Sequence, residues 1–127
     1  MKYLVDMSAT LIHHGHVRLL SFAASLGRVT VALTTDDEIQ KHKGYLPELS
    51  YENRKEILMS FRSVDSVIPS PWLITMDFFE QSQCDFLIHG EDNSNDISSE
   101  KLIIVPRTKD ISSSKLRERA HKIFTSK

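Results

Sequence analysis

Five short apolar runs of strand length, separated by polar turns and stretches with helical spacing, constrain this chain more than any other feature. They lie at residues 2–7, 29–33, 64–68, 85–89 and 101–105, and the second, Val29-Thr30-Val31-Ala32-Leu33, is typical in its β-branched content. Between them, Val17, Leu20, Phe22, Ala23, Ala24 and Leu26 mark a helix over 14–26 that Gly27 stops. Ser50 caps a helix over 51–62 with Ile57, Leu58 and Phe61 on its buried side, and Ile74, Phe78 and Phe79 mark another over 74–83. A last helix runs from an N-cap at Ser112 to about Phe124, with Ile111 and Leu116 spaced as a hydrophobic staple. Residues 36–50 keep no period and contain Gly44 and Pro47, so they read as a mobile loop. Strand alternating with helix predicts an α/β chain: one domain over 1–127, a doubly wound parallel five-stranded sheet with helices on both faces.

A length of 127 residues suffices for one core and is short for two. The formal net charge is -1 with Lys and Arg dispersed, which argues against a nucleic-acid-binding surface. A lone cysteine, Cys84, excludes an internal disulfide framework and fits a reducing compartment, and Asp6 comes too early for a secretory signal. No stretch approaches the ~20 apolar residues that cross a bilayer. The expectation is a soluble cytoplasmic protein, free of membrane.

The chemistry-bearing residues gather at strand ends. His13-His14-Gly15-His16 follows the first strand and opens the first helix, so His13 and His16, three apart, project from one turn toward the end of the helix that favours anions. Gly15 would let an anion approach the backbone. A solvated cap is the plain alternative, and zinc a weaker one, since no Cys/His pairs stand at zinc-finger spacing and no metal ligands are assigned. Lys41 and Lys43 sit in the presumed loop, either to swing onto a polyphosphate or simply to be solvated. Ser112, Ser113 and Ser114 open the last helix after Arg107, where serines ordinarily serve only as caps. In doubly wound sheets ligands bind beyond the carboxyl ends of the strands, and that rule brings His13, His16, Gly90 to Asp92 and Arg107 to Ser114 to one rim. No glycine-rich phosphate loop occurs, so a nucleotide held there would rest on the histidines.

These residues form a pattern that resembles the small nucleotidylyltransferases of the cytidylyltransferase type, in particular the glycerol-3-phosphate enzymes and their choline-phosphate and ethanolamine-phosphate relations. The likeness spans nearly the whole chain. It rests on His13-His14-Gly15-His16 as H-x-G-H, on Thr35-Asp36, on Tyr51-Glu52-Asn53-Arg54-Lys55, on Gly90-Glu91-Asp92, and above all on Arg107-Thr108-Lys109-Asp110-Ile111-Ser112-Ser113, similar to R-T-x-G-I-S-T. The resemblance implies a Rossmann-like fold and transfer of CMP from CTP to a small phosphorylated or phosphonylated alcohol, with release of pyrophosphate. It implies catalytic roles for His13, His16, Lys41, Lys43 and Arg107. Nucleotide contacts would come from Ser8, Ala9, Gly15, His89, Gly90, Asp92, Arg107, Thr108, Ile111, Ser112 and Ser113, and acceptor contacts from Thr10, Arg54 and Arg62. Mg²⁺ would accompany the triphosphate, and the working unit would be a homodimer.

The chain departs from the pattern in places. Ser8-Ala9-Thr10 stands where T-F-D is usual, Asp110 replaces a glycine, and Glu91 replaces an aspartate. The change at Thr10 bears most on the acceptor. Two other functions stay open on these residues: adenylyl transfer from ATP to a sugar phosphate or similar acceptor, and a non-catalytic nucleotide-binding module.

Overall fold

The protein is described here as a computed structural model covering residues 1–125. The apolar runs form β1 (Lys2–Met7), β2 (Arg28–Thr34), β3 (Ser66–Ser70), β4 (Phe86–Gly90) and β5 (Leu102–Val105). Every neighbouring pair is parallel, in the order β3-β2-β1-β4-β5. The connecting helices are α1 (His14–Leu26), α2 (Asp36–Lys43), α3 (Tyr51–Met59), α4 (Met76–Gln81) and α5 (Ser113–Thr125).

Side chains along a strand point alternately to opposite faces, so an apolar strand feeds two cores. On one face Tyr3, Val5 and Met7 of β1 pack with Leu20 and Ala23 of α1 and Leu58 of α3. Leu4, between them in sequence, packs on the other face with Ile74, Phe79 and Leu87. Each fully buried aliphatic side chain of this kind contributes about 1.5–3 kcal/mol. Helices therefore cover both faces, and strand order reverses between β1 and β4, where the diverging connections leave a crevice beyond the carboxyl ends. Among the described residues, no helix is long and apolar enough to cross a membrane.

The expected loop over 36–50 is in its first half a helix. Thr35 Oγ1 accepts from Glu38 N–H, Asp36, Asp37 and Glu38 fill the first turn, and Lys41, His42 and Lys43 fill the last. Gly44, at φ 83°, closes it in the left-handed conformation. These local signals outweigh the missing apolar period, because a helix of eight residues needs only one buried anchor, Ile39. The third strand is also displaced, to 66–70, and runs through Pro69; β3 lies at the sheet edge, where a residue without an N–H is tolerated. Ser112 caps α5 as expected, its Oγ accepting from Lys115 N–H at 3.0 Å.

Candidate active site

A cleft of about 550 Å³ opens at the carboxyl ends of β1 and β4 and is walled by the starts of α1 and α5. His13 and His16 line it from α1, their ring centroids 4.0 Å apart. His13 is the N-cap: its Nδ1 accepts from Gly15 N–H at 3.1 Å, and its own N–H donates to His16 Nδ1 at 3.1 Å. A neutral imidazole that accepts at Nδ1 carries its proton on Nε2, so both rings are fixed as Nε2–H donors. Their charge state follows from position. Burial, the neighbouring histidine and Arg107 together lower both, His16 to about 3. Both are neutral at neutral pH.

Two backbone donors of the first turn are already partnered: Gly15 N–H by the His13 ring and His16 N–H by His13 C=O at 3.0 Å. Gly15 makes room for a ring, since a Cβ there would stand 2.8 Å from His13 Cε1.

Across the cleft, Arg107 follows β5, with Nη1 donating to Asp92 Oδ2 at 3.0 Å and its N–H to Glu91 Oε1 at 3.2 Å. The turn from Arg107 to Ser112 passes through Asp110 at φ 61°, a left-handed position that explains why glycine suits this place and why aspartate, which tolerates it better than most residues, replaces it here. Ser113 then ties α5 to the segment after β1: its Oγ donates to Leu11 C=O at 2.8 Å and accepts from Leu11 N–H at 3.1 Å.

At the back of the cleft, the last polar residues of two adjacent strands meet. His89 Nδ1 lies 2.5 Å from Asp6 Oδ1, and Asp6 Oδ2 accepts from the Asn95 amide at 3.0 Å. Burial opposes charge on His89, but the hydrogen bond and charge of Asp6, with Asp92 beyond, outweigh it and raise the ring above its ordinary value. Opposite shifts thus separate His89 from the His13–His16 pair.

The cleft gathers most of the expected residues: His13, His16, Lys43 and Arg107, then Ser8, Ala9, Thr10 and Gly15, and His89, Gly90, Asp92, Thr108, Ile111, Ser112 and Ser113. Lys41 is exposed on α2 and does not line it. Arg62, beyond α3, is exposed and lies outside it. Arg54 is fully buried and has a structural position instead: Nη1 donates to Ser8 C=O at 2.7 Å and Thr34 C=O at 2.9 Å, Nε to Leu49 C=O at 3.0 Å, and Nη2 to Asp36 at 2.6 Å. Its donors face the ends of β1 and β2, and it does not line the cleft.

Asp6, Asn95, Tyr45 and Trp72 line the cleft without having been expected there. A signal for Asp6 existed: it and His89 are the polar residues that end two apolar runs, and Val5 opposite Ile88 puts them side by side. Trp72 joins α2 to the cleft, stacked under His42 at 5.1 Å and beneath Lys43 Nζ at 5.6 Å, contacts no sequence period announces.

Comparison with known proteins gives the same direction. A family model described as cytidylyltransferase-like matches residues 8–119. The chain is 34% identical over 113 residues to glycerol-3-phosphate cytidylyltransferase of Bacillus subtilis, covering 85% of this chain and 88% of that one. It is 36% identical over 84 residues to ethanolamine-phosphate cytidylyltransferase of Mus musculus, covering 65% of this chain but only 20% of the relative, so the chain spans about a fifth of that protein. A lipopolysaccharide core biosynthesis protein from Thermoplasma volcanium shares the fold, with a TM-score of 0.64 over 98% of this chain and 88% of that one at 16% identity.

Proposed function

The chain belongs to the cytidylyltransferase-like family, and from that premise we propose that it is a nucleotidyltransferase that moves CMP from CTP to a small phosphorylated or phosphonylated alcohol and releases pyrophosphate. The observation that carries this is the pair of neutral histidines, each held by its Nδ1 so that an Nε2–H is left for a ligand. Neutral donors suit a reacting phosphate: they hydrogen-bond charge that grows on its oxygens and give up no proton in doing so.

In the reaction, an acceptor phosphoryl oxygen attacks the α-phosphorus of CTP. The new bond forms as the bond from that phosphorus to the α,β-bridging oxygen breaks, and pyrophosphate leaves with the electron pair. The attacking oxygen is already anionic at neutral pH, so alignment and charge stabilisation suffice and no general base is required. His13 and His16 donate to the α-phosphate and the leaving oxygen. Arg107 and the hydroxyls of Ser112 and Ser113 hold the outer phosphates, and Lys43 closes from α2.

Among the described residues, no group of three or more His, Cys, Asp or Glu could hold a metal. In this reading Mg²⁺ would arrive on the triphosphate, whose charge it would neutralise. On the same reading the protein works in the cytoplasm as a homodimer; the exposed Phe22 and Leu26, four apart on α1, suit an interface, and sedimentation checks the assembly.

Adenylyl transfer is the second reading, favoured by a 35% identity over 88 residues to a Pyrococcus horikoshii protein named FAD synthase. Pyrophosphate release is measured with CTP or ATP against a panel of phosphorylated and phosphonylated alcohols. Release with CTP supports the proposal, release only with ATP selects the second reading, and release with neither leaves a non-catalytic nucleotide-binding module.

A further inference from the structure

Thr10 is 5% exposed and lines the cleft, and its hydroxyl has one protein partner given by the structure: Arg117 of α5, whose Nη2 donates to Thr10 Oγ1 at 3.2 Å. Arg117 is held in place from three other directions. Nε and Nη2 donate to the Glu48 carboxylate at 2.5 Å and 2.7 Å, Nη1 donates to the Tyr45 hydroxyl at 3.2 Å, and the guanidinium stands 4.9 Å from the Tyr45 ring centroid. Ser113, one turn earlier on α5, holds Leu11, so residues i and i+4 of one helix face grip both ends of a short stretch beside the cleft.

Arginine has five donors and no acceptor, whereas a threonine hydroxyl has one donor and two acceptor positions. Contact with Arg117 therefore fixes the Thr10 oxygen as an acceptor toward the protein, and its O–H is left to donate. Glu48 balances the charge of Arg117, so the effect on the cleft is one of hydrogen-bond polarity.

On the reading that this cleft joins a nucleotide to an acceptor, we propose that Thr10 and Arg117 are a specificity-determining pair: Thr10 donates its O–H to a phosphoryl or phosphonyl oxygen of the acceptor, and Arg117 is the positioning residue that orients it. A carboxylate at position 10 would reverse the polarity, accepting from hydroxyl or ammonium groups and repelling phosphoryl oxygen. A ligand offering a donor to this corner thereby loses its partner.

The test measures kcat and KM separately for acceptor and CTP in Thr10→Val, Thr10→Ser, Arg117→Met, Arg117→Lys and the Thr10→Val/Arg117→Met double variant. Thr10→Val keeps the shape and removes the hydroxyl, so acceptor KM should rise about tenfold to a hundredfold, as expected for a lost hydrogen bond to a charged group, while KM for CTP stays within about twofold. Thr10→Ser should restore acceptor KM, and Arg117→Lys should restore part of what Arg117→Met loses. Because Arg117 acts through Thr10, the double variant should be no worse than Thr10→Val alone. Additive losses, or equal rises in both KM values, overturn the proposal. Should no nucleotide and acceptor release pyrophosphate, the proposed function fails, and calorimetry with ethyl phosphate still decides the pair: weaker binding by Thr10→Val sustains it, and equal or absent binding to both proteins rejects it.

Discussion

His13 fixes the tautomer of His16: its backbone N–H bonds the ring of His16, while its own ring turns back to accept from Gly15 N–H and is fixed there in turn. One arrangement thus both starts helix α1 and aims two donors, and the two roles come apart by mutation. His16→Asn can place an amide oxygen where Nδ1 stood, keeping the bond to His13 N–H while losing the Nε2–H. Turnover should fall about 10²–10³-fold, the usual cost of one donor aimed at developing charge. The melting temperature should move by no more than about 2 °C, since a cap partner remains. Near-normal kcat in this variant removes His16 from the chemistry.

Stability should depend on pH through the same pair. The folded state holds His16 at about 3, against 6.5 for a free imidazole, so below 6.5 the unfolded chain takes up a proton that the folded chain refuses. Its contribution is fully present above 6.5 and is lost as pH falls toward about 3. His89 has the opposite sign: its raised value makes its contribution complete below 6.5 and lost as pH rises through the folded value. Denaturant unfolding at about pH 7 and about pH 5 should therefore show a smaller acid loss in His16→Asn and a larger one in His89→Gln than in the natural sequence. Parallel curves for all three would refute the assignment.

Arg54 should matter to folding more than to substrate. Arg54→Met leaves Asp36 and the carbonyls of Ser8, Thr34 and Leu49 without their shared donor, and removing one partner of a buried ionic network costs about 3–5 kcal/mol. Arg54→Lys recovers little, because an ammonium cannot reproduce the planar fork. Urea unfolding measures the loss. A variant with unchanged stability and a raised acceptor KM would return Arg54 to the binding role expected from sequence.

Asp110, at φ 61°, is a place where one substitution should stabilise and another destabilise. Asp110→Gly should add about 0.5–1 kcal/mol by relieving the left-handed strain, and Asp110→Ala should remove about 1 kcal/mol, having neither glycine's freedom nor aspartate's tolerance. Thermal unfolding of the two variants decides it, and equal melting temperatures would mean that the turn carries no strain.

What the sequence made legible was whatever depends on local pattern. Apolar runs located the strands, the topological rule placed the cleft at the carboxyl ends of β1 and β4, and paired histidines after a strand marked its centre. Helix α2 escaped because its signals are polar: a threonine cap, three acids, three bases and a left-handed glycine around one buried isoleucine. The buried position of Arg54 was hidden for a different reason. A charged residue in a matched motif suggests a ligand, and only tertiary contact reveals that its donors are already taken by backbone carbonyls. Arg117 shows the same limit from the other side, since it reaches Thr10 across 107 positions of chain, a pairing no spacing encodes.

Helix α5 and its cap contribute Ser112, Ser113 and Ser114 to the cleft, yet none of the helix's own residues is fully buried. It is moored at its first turn through Ser113 and one turn on through Arg117 by polar bonds, beside the half-buried Leu116. A helix held in this way should open at a free energy below that of global unfolding. On the proposed function, a nucleotide bridging Ser112 and the histidines would tie that opening to occupancy: its affinity for the docked arrangement would add to the protection of α5 against solvent exchange and proteolysis. Solvent exchange along α5, followed with and without CTP, would then gauge how full the cleft is.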